Sequence, residues 1–294
     1  MQLVNSPVSK FEYKNRIFYV KRDDLLSPEF SGNKARKLAY YLDKYDNLHI
    51  TEIISYGGYQ SNLMYSLSCL AKLKKWKFTY YTRKLAKSID YQADGNLSAS
   101  LANKMNLVEI EHDFNQFCQQ LEINQPENQL LIKQGGAQIE AEYGIAQLAQ
   151  EIKSWATEQK ITNPAIFLAS GTGVSALYLQ KNLPEFTVYT TNCVGSTEYL
   201  QQQFIVLEPT LPIYPTILTN KFRFANPDVE LLTTWQNIRN ASSIDFDLIY
   251  DPVGWKVLLD NLPQIKSPIL YIHCGGLLGN NTMLQRYNYL NLID

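Results

Sequence analysis

The sequence predicts an α/β protein in which mostly parallel sheets are flanked by helices. Three observations support this prediction. Segments with strand character alternate with helical segments along the chain, which is typical of βαβ units. Several apolar strands run directly into glycines, as in EIISYGG, NQLLIKQGG, AIFLASGTG and PILYIHCGG. The 294 residues are enough for one large domain or for two closely packed lobes.

The first half of the chain supplies three predicted strands and three predicted helices. RIFYVKRDD, EIISYGG and KFTYY read as strands. The helix that begins in FSGNKARKLAYYL carries Leu38, Leu42 and Tyr45 on one face. A second helix follows Ser61, a residue type that is favoured at the N-cap. We expect a third, polar helix over residues 84–103, broken near Asp94-Gly95.

The second half repeats the pattern of an apolar strand, a small-residue turn and a helix. NQLLIKQGG precedes the long helix IEAEYGIAQLAQEIKSWA, AIFLASGTG precedes VSALYLQKNL, and FTVYTTNCVG ends in a glycine. FDLIYDPVG leads into the helix WKVLLDNL, and PILYIHCGG leads into the polar helix LLGNNTMLQRY. Because parallel strands end at one edge of a sheet, the glycine-rich loops are expected to gather at the ligand-binding edge.

Composition and charge exclude several classes of function. Apolar residues make up 45% of the chain and the formal net charge is -1, so neither disorder nor binding to nucleic acid or anionic membranes is indicated. The four cysteines and three histidines do not have the spacing of a metal site, and we expect no bound metal and no disulfide framework. The first residues do not resemble a signal peptide, and no apolar run has the length of a membrane span. The simplest expected compartment is the cytoplasm.

The segment LASGTGVSALYL, residues 168–179, is a candidate phosphate-binding loop. Free N–H groups at a helix N-terminus bind anions, and the two glycines would allow close approach to the backbone. The Walker A and GxGxxG patterns are both absent, which disfavours a nucleotide or an NAD site. The alternative interpretation is a tight turn between strand and helix with ordinary capping.

Lys34 follows a glycine turn at the start of a basic helix, where a lysine is usually a solvated charge. A phosphate loop, the turn GGYQSN and the strand end HCGG would nevertheless fit together around one phosphorylated, planar cofactor. Pyridoxal phosphate (PLP) requires an amine, an anion pocket and partners for its ring oxygen and ring nitrogen. Lys34 is the candidate amine.

Four motifs occur in the order found in one family of PLP enzymes: VKRDDL…SGNKARKL, GGYQSN, LASGTGVSALYL and LIYDPVGWK…ILYIHCGG. Between about residues 20 and 279 the chain resembles the 1-aminocyclopropane-1-carboxylate (ACC) deaminase and D-cysteine desulfhydrase family. That family belongs to the tryptophan-synthase-β-like enzymes, or PLP fold type II. The resemblance implies a PLP-dependent lyase or deaminase that removes the α-proton of a small amino acid and performs β-elimination.

The resemblance also implies roles for individual residues. Lys34 looks like the lysine that binds PLP covalently, and Ser61 looks like a second catalytic residue beside the substrate carboxylate. The implied cofactor-binding residues are Lys34, Asn33, Asn62, Gly171, Thr172, Gly173, Val174, Ser175 and Cys274. The implied substrate-binding residues are Gln60, Ser61, Asn62 and Trp255.

Cys274 occupies the position beside the pyridine nitrogen in this resemblance. A neutral thiol cannot hold a protonated pyridine as a carboxylate does, so the cofactor would be a weaker electron sink, and elimination would be favoured. The alternative is that Cys274 is a small buried apolar residue, as most free cysteines are.

The chain departs from the family pattern at two aromatic positions. The family has a tyrosine in a V-Y-x-G-K segment, whereas this chain reads Val253-Gly254-Trp255-Lys256. A second family tyrosine corresponds to Phe224 in an uncertain alignment. Trp255 could fill the aromatic space, but its indole only donates hydrogen bonds. Opening of the ACC ring is affected more by these changes than β-elimination from an amino acid such as D-cysteine. A PLP-binding relative without lyase activity, either a carrier or a sensor, is the alternative.

The resemblance finally implies two lobes with the cofactor between them. We expect a large PLP-binding domain from residues 1–37 and 139–294 and a small domain from residues 38–138, each with a mostly parallel sheet. We also expect a homodimer, by analogy with fold-type-II relatives.

Overall fold

The structure, a computed structural model, describes residues 3, 5–45, 49–87, 89–91, 94–124 and 126–292. Within these residues the strands form two sheets, and both carry helices on their faces. The larger sheet has the strand order β1-β2-β10-β7-β8-β9. Its strands are β1 (Val8–Tyr13), β2 (Arg16–Lys21), β7 (Ala165–Ser170), β8 (Thr187–Asn192), β9 (Thr216–Leu218) and β10 (Ile269–Ile272).

The smaller sheet has the order β5-β4-β3-β6, and all its pairings are parallel. Its strands are β3 (Glu52–Tyr56), β4 (Lys77–Arg83), β5 (Asn106–Ile110) and β6 (Gln129–Ile132). In the larger sheet only β1 and β2 pair antiparallel, and every other pairing is parallel. The predicted class of mostly parallel sheets flanked by helices is therefore confirmed.

Ten α-helices connect and cover the strands in the described part of the chain. They are α1 (Gly32–Asp43), α2 (Asn62–Lys74), α3 (Asn96–Ala102), α4 (Phe114–Ile123), α5 (Ala141–Glu158), α6 (Val174–Asn182), α7 (Thr197–Leu207), α8 (Val229–Ser242), α9 (Asp251–Asp260) and α10 (Asn280–Tyr289). Ser61 is the N-cap of α2, as predicted, and its Oγ accepts hydrogen bonds from the amides of Leu63 and Met64 at 3.2 and 3.4 Å.

Two predicted elements are wrong. The polar helix expected over residues 84–103 is reduced to α3, because the segment before it is tied to β5 instead. The amide of Leu85 donates to Glu109 at 2.8 Å, and Lys84 pairs with Glu111. The segment FDLIYDPVG contains no strand, and α9 begins inside it at Asp251.

Three main groups of buried apolar side chains hold the sheets and helices together. One fills the space between the smaller sheet and the helices α1 and α2. The other two cover opposite faces of the larger sheet, one against α8 to α10 and the other against α5 and α6. None of the described helices combines the length and the apolar character that crossing a membrane requires.

A buried ionic network fixes α1 against the larger sheet. Arg36 is almost fully buried and donates to Asp23 at 2.9 and 3.1 Å and to Glu151 at 2.7 and 2.8 Å. Lys21 at the end of β2 forms a second ion pair with Glu151 at 2.6 Å. Ser6 donates to Asp23 at 2.6 Å. The network therefore connects the end of β2, the start of α1 and the middle of α5.

The first residue of α1 contacts the loop after β10 closely. Gly32 has a positive φ of 69°, and a methyl group on its Cα would overlap the carbonyl oxygen of Cys274. The next amide, that of Asn33, donates to the same carbonyl at 3.0 Å. Only glycine permits both the dihedral angle and the approach.

Replacing Arg36 by methionine should lower the free energy of unfolding by about 3–5 kcal/mol, because buried Asp23 loses its ionic partner. Urea-induced unfolding measures this loss. The control is Arg239→Met, which breaks the exposed pair with Asp245 and should cost less than about 1 kcal/mol. Equal losses in the two variants would contradict the importance of the buried network.

Replacing Gly32 by alanine should destabilise the protein by at least about 1–2 kcal/mol from the positive φ alone, with the overlap on Cys274 added. The control is Gly58→Ala, because a Cβ on Gly58 would have no heavy atom within 4 Å. Thermal unfolding of both variants is the measurement. A Gly32→Ala protein as stable as Gly58→Ala would show that α1 does not need this contact.

Candidate active site

Loops from both sheets meet around residues 273–276, which follow β10. Gly32 lies against Cys274 on one side of this segment. On another side, the position of a Cβ on Gly276 is 2.6 Å from Asn62 Nδ2 and 3.6 Å from the Cβ of Asp247. The starts of α1 and α2 and the turn before α9 therefore surround one point at the carboxyl end of β10. The predicted gathering of the glycine-rich loops is present.

Lys34 lies in the first turn of α1 beside this point. Its Nζ is 3.3 Å from Asn33 Oδ1 and forms no ion pair with a carboxylate in the described part of the chain. Loss of hydration lowers the pKa of Lys34, and the nearby Cys274 and Asp247 oppose that shift. A lysine with a lowered pKa holds more of the neutral amine that reacts with carbonyl compounds.

Lys37, one turn later on the same face of α1, is a site residue that the sequence interpretation missed. It is 3% exposed, and its Nζ donates to the carbonyl of Gly135 at 2.8 Å. Burial lowers the pKa of Lys37 well below its ordinary value, and the charge of Lys34 lowers it further. Within the described residues, two amines without a carboxylate partner thus lie near each other on one face of α1, which favours a bound anion. The i, i+3 spacing to Lys34 was the available sequence signal.

The candidate phosphate loop joins β7 to α6, as expected. Gly173 is the N-cap of α6 and has a positive φ of 74°. The Oγ of Ser175, in the first turn, is buried without a hydrogen-bond partner. Thr172 lies against Gly135, whose neighbour Gly136 has its Cβ position 3.3 Å from the Cδ of Lys37. The loop and the pair of lysines therefore border the same space.

The turn before α2 is held in place by α3. Asn96 donates through its side chain to the carbonyl of Gln60 at 2.9 Å and to Asn62 Oδ1 at 2.7 Å. Its amide donates to Gln60 Oε1 at 3.1 Å. Ser61 Oγ accepts both capping bonds, and its hydroxyl also forms a side-chain hydrogen bond with Tyr80. The sequence interpretation named Gln60, Ser61 and Asn62. It did not name Asn96, which holds this turn in place.

Two buried aspartates lie on the other side of the loop after β10. Asp247 Oδ1 accepts from the amides of Ile249 and Tyr250 at 2.7 and 2.6 Å. Asp251 accepts from the hydroxyl of Tyr271 at 2.7 Å and from the amide of Asp247 at 3.2 Å. Burial and the charge of Asp247 raise the pKa of Asp251 well above its usual range, so Asp251 is the member that keeps a proton. The sequence interpretation did not identify this pair.

Cys274 faces both the lysines and the aspartates. Burial raises the pKa of its thiol, with Asp251 contributing in the same direction and Lys34 opposing it. The thiol is therefore neutral, as the sequence interpretation assumed. Burial raises the pKa of Asp247. Asp247 is the acidic group that raises the pKa values of both Lys34 and Cys274.

The structure contradicts the prediction that Trp255 binds substrate. Its indole is fully buried and stacks on Tyr271 with ring centroids 4.2 Å apart. Phe11, Phe18 and Phe246 pack against it edge-on. Trp255 is directed into the core because it lies on the face of α9 that covers the larger sheet, and a side chain enclosed by this cluster is not available to a ligand.

Comparisons with known proteins agree with the fold. No family model matches the chain. It is 26% identical over 301 residues to a D-cysteine desulfhydrase of Serratia proteamaculans (strain 568), covering 90% of this chain and 88% of the relative. A solved ACC deaminase homologue superposes with a TM-score of 0.78 at 19% identity, covering 99% of this chain and 94% of that one.

A fungal L-serine ammonia-lyase from Rhizomucor miehei has the same fold, with a TM-score of 0.72 at 12% identity over 98% of this chain and 99% of that one. The D-cysteine desulfhydrase matches most of the chain in sequence, and the ACC deaminase homologue matches it in structure. The chain is therefore similar over most of its length to proteins named ACC deaminase and D-cysteine desulfhydrase, and it shares the two-sheet α/β fold of the solved homologue.

Proposed function

We propose that the protein is a PLP-dependent lyase that acts on a small amino acid by α-deprotonation and β-elimination, as a D-cysteine desulfhydrase-like or ACC deaminase-like enzyme. The observation that carries this proposal is the pair Lys34 and Lys37. Both amines have lowered pKa values, and neither has a carboxylate partner within the described ranges. The aldehyde of a covalently bound, phosphorylated cofactor would react with one amine. Its phosphate would neutralise the positive charge of the other.

The residues present fit PLP. Lys34 would hold it covalently, with Asn33 beside it. Lys37, the free Oγ of Ser175 and the backbone from Gly171 to Val174 would hold its phosphate. Cys274 and Asn62 border the remaining space. When bound, PLP supplies an electron sink that makes the α-proton of an amino acid removable.

The substrate side of the site is assigned to Gln60, Ser61 and Asn62. The amides at the start of α2 can bind a carboxylate, and the Ser61 hydroxyl lies beside them. Asn96 keeps this turn rigid through its bonds to Gln60 and Asn62. Lys34 would be the base for the α-proton, and burial, which lowers its pKa, favours the neutral amine that this role needs.

Elimination fits these residues better than opening of a strained ring. It requires an α-proton acceptor and a leaving group, whereas ring opening also needs a nucleophile or acid at the positions where the family tyrosines are absent. The D-cysteine desulfhydrase relative supports the same preference. Thiol, hydroxyl or halide substituents at the β-carbon are the substrates to test.

The wider organisation belongs to the same proposal. Strands β3 to β6 all lie in the proposed small domain of residues 38–138, and the other strands lie in residues 1–37 and 139–294. We also propose a homodimer and a cytoplasmic location, by analogy with fold-type-II enzymes.

Purified protein should show the visible absorbance of bound PLP, and borohydride should fix the cofactor on Lys34. Lys34→Ala should abolish the absorbance band because the amine is missing, and peptide mapping should find the pyridoxyl group on Lys34 in the parent protein. The control is Lys44→Ala, an exposed lysine at the end of the same helix. It should leave the absorbance unchanged.

Turnover is tested with D- and L-cysteine, serine, β-chloroalanine and ACC, by following pyruvate, α-ketobutyrate, ammonia and sulfide. Release of pyruvate from a β-substituted amino acid supports the lyase. A protein that binds PLP on Lys34 but releases no product from any of these compounds would instead be a carrier or sensor, and the proposed function would be wrong.

A further inference from the structure

Tyr250, the residue before α9, lies beside the candidate phosphate loop. Its Cε1 and hydroxyl oxygen are 3.3 and 3.5 Å from the position that a Cβ on Gly171 would occupy. Its ring packs against Phe224 with centroids 5.4 Å apart. The phenol thus occupies space that any side chain at position 171 would need.

Tyr250 and Lys34 face the same group of side chains. Burial raises the pKa of Tyr250, and Cys193, Asp247 and Cys274 raise it further. Asp247 and Cys274 are also the groups that act on Lys34. A phenol in these surroundings keeps its proton at neutral pH, so it can donate a hydrogen bond or a proton but cannot serve as a base.

The hydroxyl of Tyr250 is uncommitted. No hydrogen bond from it to another group occurs among residues 3–292 where the structure describes them, although the side chain is mostly buried. Phenols in such positions usually have a partner. A hydroxyl without one, next to a ligand loop, is available to the ligand.

Gly254, one turn after Tyr250, leaves no room for an aromatic side chain at its own position. The amide of Gly254 donates to the carbonyl of Tyr250 at 2.9 Å, so the two residues lie on one face of α9, a turn apart. A Cβ on Gly254 would be 2.5 Å from the hydroxyl of Tyr271 and 3.1 Å from the Cβ of Ala169. Because Asp251 fixes that hydroxyl, no aromatic side chain fits at position 254.

We propose that Tyr250 is a catalytic acid of this site, which protonates the leaving group at the β-carbon of the substrate. The inference rests on the proposed lyase function and extends it to substrates whose leaving group needs a proton, such as a hydroxyl.

Lys34 takes the α-proton, and the electrons of that C–H bond form the double bond between the α- and β-carbons. The bond from the β-carbon to the leaving group breaks, and its electron pair departs with that group. The leaving group takes the phenolic proton, and the phenolate regains a proton from water.

The test compares Tyr250→Phe with the parent protein on serine and on β-chloroalanine, in the enantiomer that the parent accepts. Hydroxide needs a proton to leave and chloride does not. The value of kcat/KM should fall by about 100-fold or more for serine. It should change by less than about threefold for β-chloroalanine. The dissociation constant for PLP, measured by fluorescence quenching of the cofactor-free protein, should stay within about threefold of the parent value.

Tyr19→Phe is the matched control. Tyr19 lies on β2, packs against Trp155 of α5 and lines a surface depression near Arg16. It should leave all three measurements unchanged. Equal losses for both substrates, or a weakened PLP affinity that accounts for them, would show that Tyr250 only contacts the cofactor and would overturn the proposal. So would an unchanged rate with serine, or a parent protein that eliminates chloride but not hydroxide. If the parent turns over neither substrate nor any of the panel above, the proposed function itself fails.

Discussion

The ionic network of Asp23, Arg36, Glu151 and Lys21 is the interaction on which the position of Lys34 depends. Arg36 follows Lys34 by two residues on α1, so the two side chains leave the helix in nearly opposite directions. The guanidinium is held by carboxylates from two other elements. A buried ion pair adds little net stability when complete and costs much when it is broken. Rotation or sliding of α1 would separate these charges, so the helix presents Lys34 to the cleft in one place.

The charges of the site divide between its two sides. Lys34 and Lys37 lie on one face of α1, near the loop that begins α6, whereas Asp247 and Asp251 lie across the segment of residues 273–276. Sequence reasoning treated Cys274 as the only group that sets the charge beside the cofactor ring, and on that basis expected a weak electron sink. The thiol is neutral, but Asp247 acts on it and on Lys34. Cys274 is therefore not the only titratable group at this end of the site.

The parts of the fold that sequence could predict depend on local chemistry. Glycines after apolar strands, and Ser61 as an N-cap, are read from neighbouring residues, and the loops they form are where expected. Lys37, Asp247 and Tyr250 acquire their properties from burial and from contacts with distant segments, which spacing does not reveal. The helix expected over residues 84–103 was wrong because Glu109 on β5 and Glu111 just after it hold Lys84 and Leu85 in another conformation. Trp255 was misplaced because one residue along a helix turns a side chain by about 100°.

The close packing of α9 on the larger sheet links the missing family tyrosine to the buried aspartates. Asp251 at the first position of α9 accepts a hydrogen bond from Tyr271 on β10, and this bond brings the Tyr271 hydroxyl to the face where Gly254 lies. The helix approaches the sheet there only because position 254 has no side chain. The same approach leaves Trp255 enclosed between α9 and the strands. One packing arrangement thus closes the helix face at Gly254, encloses Trp255 in the core and leaves the turn before α9, with Tyr250 and Asp247, facing the loops of the site.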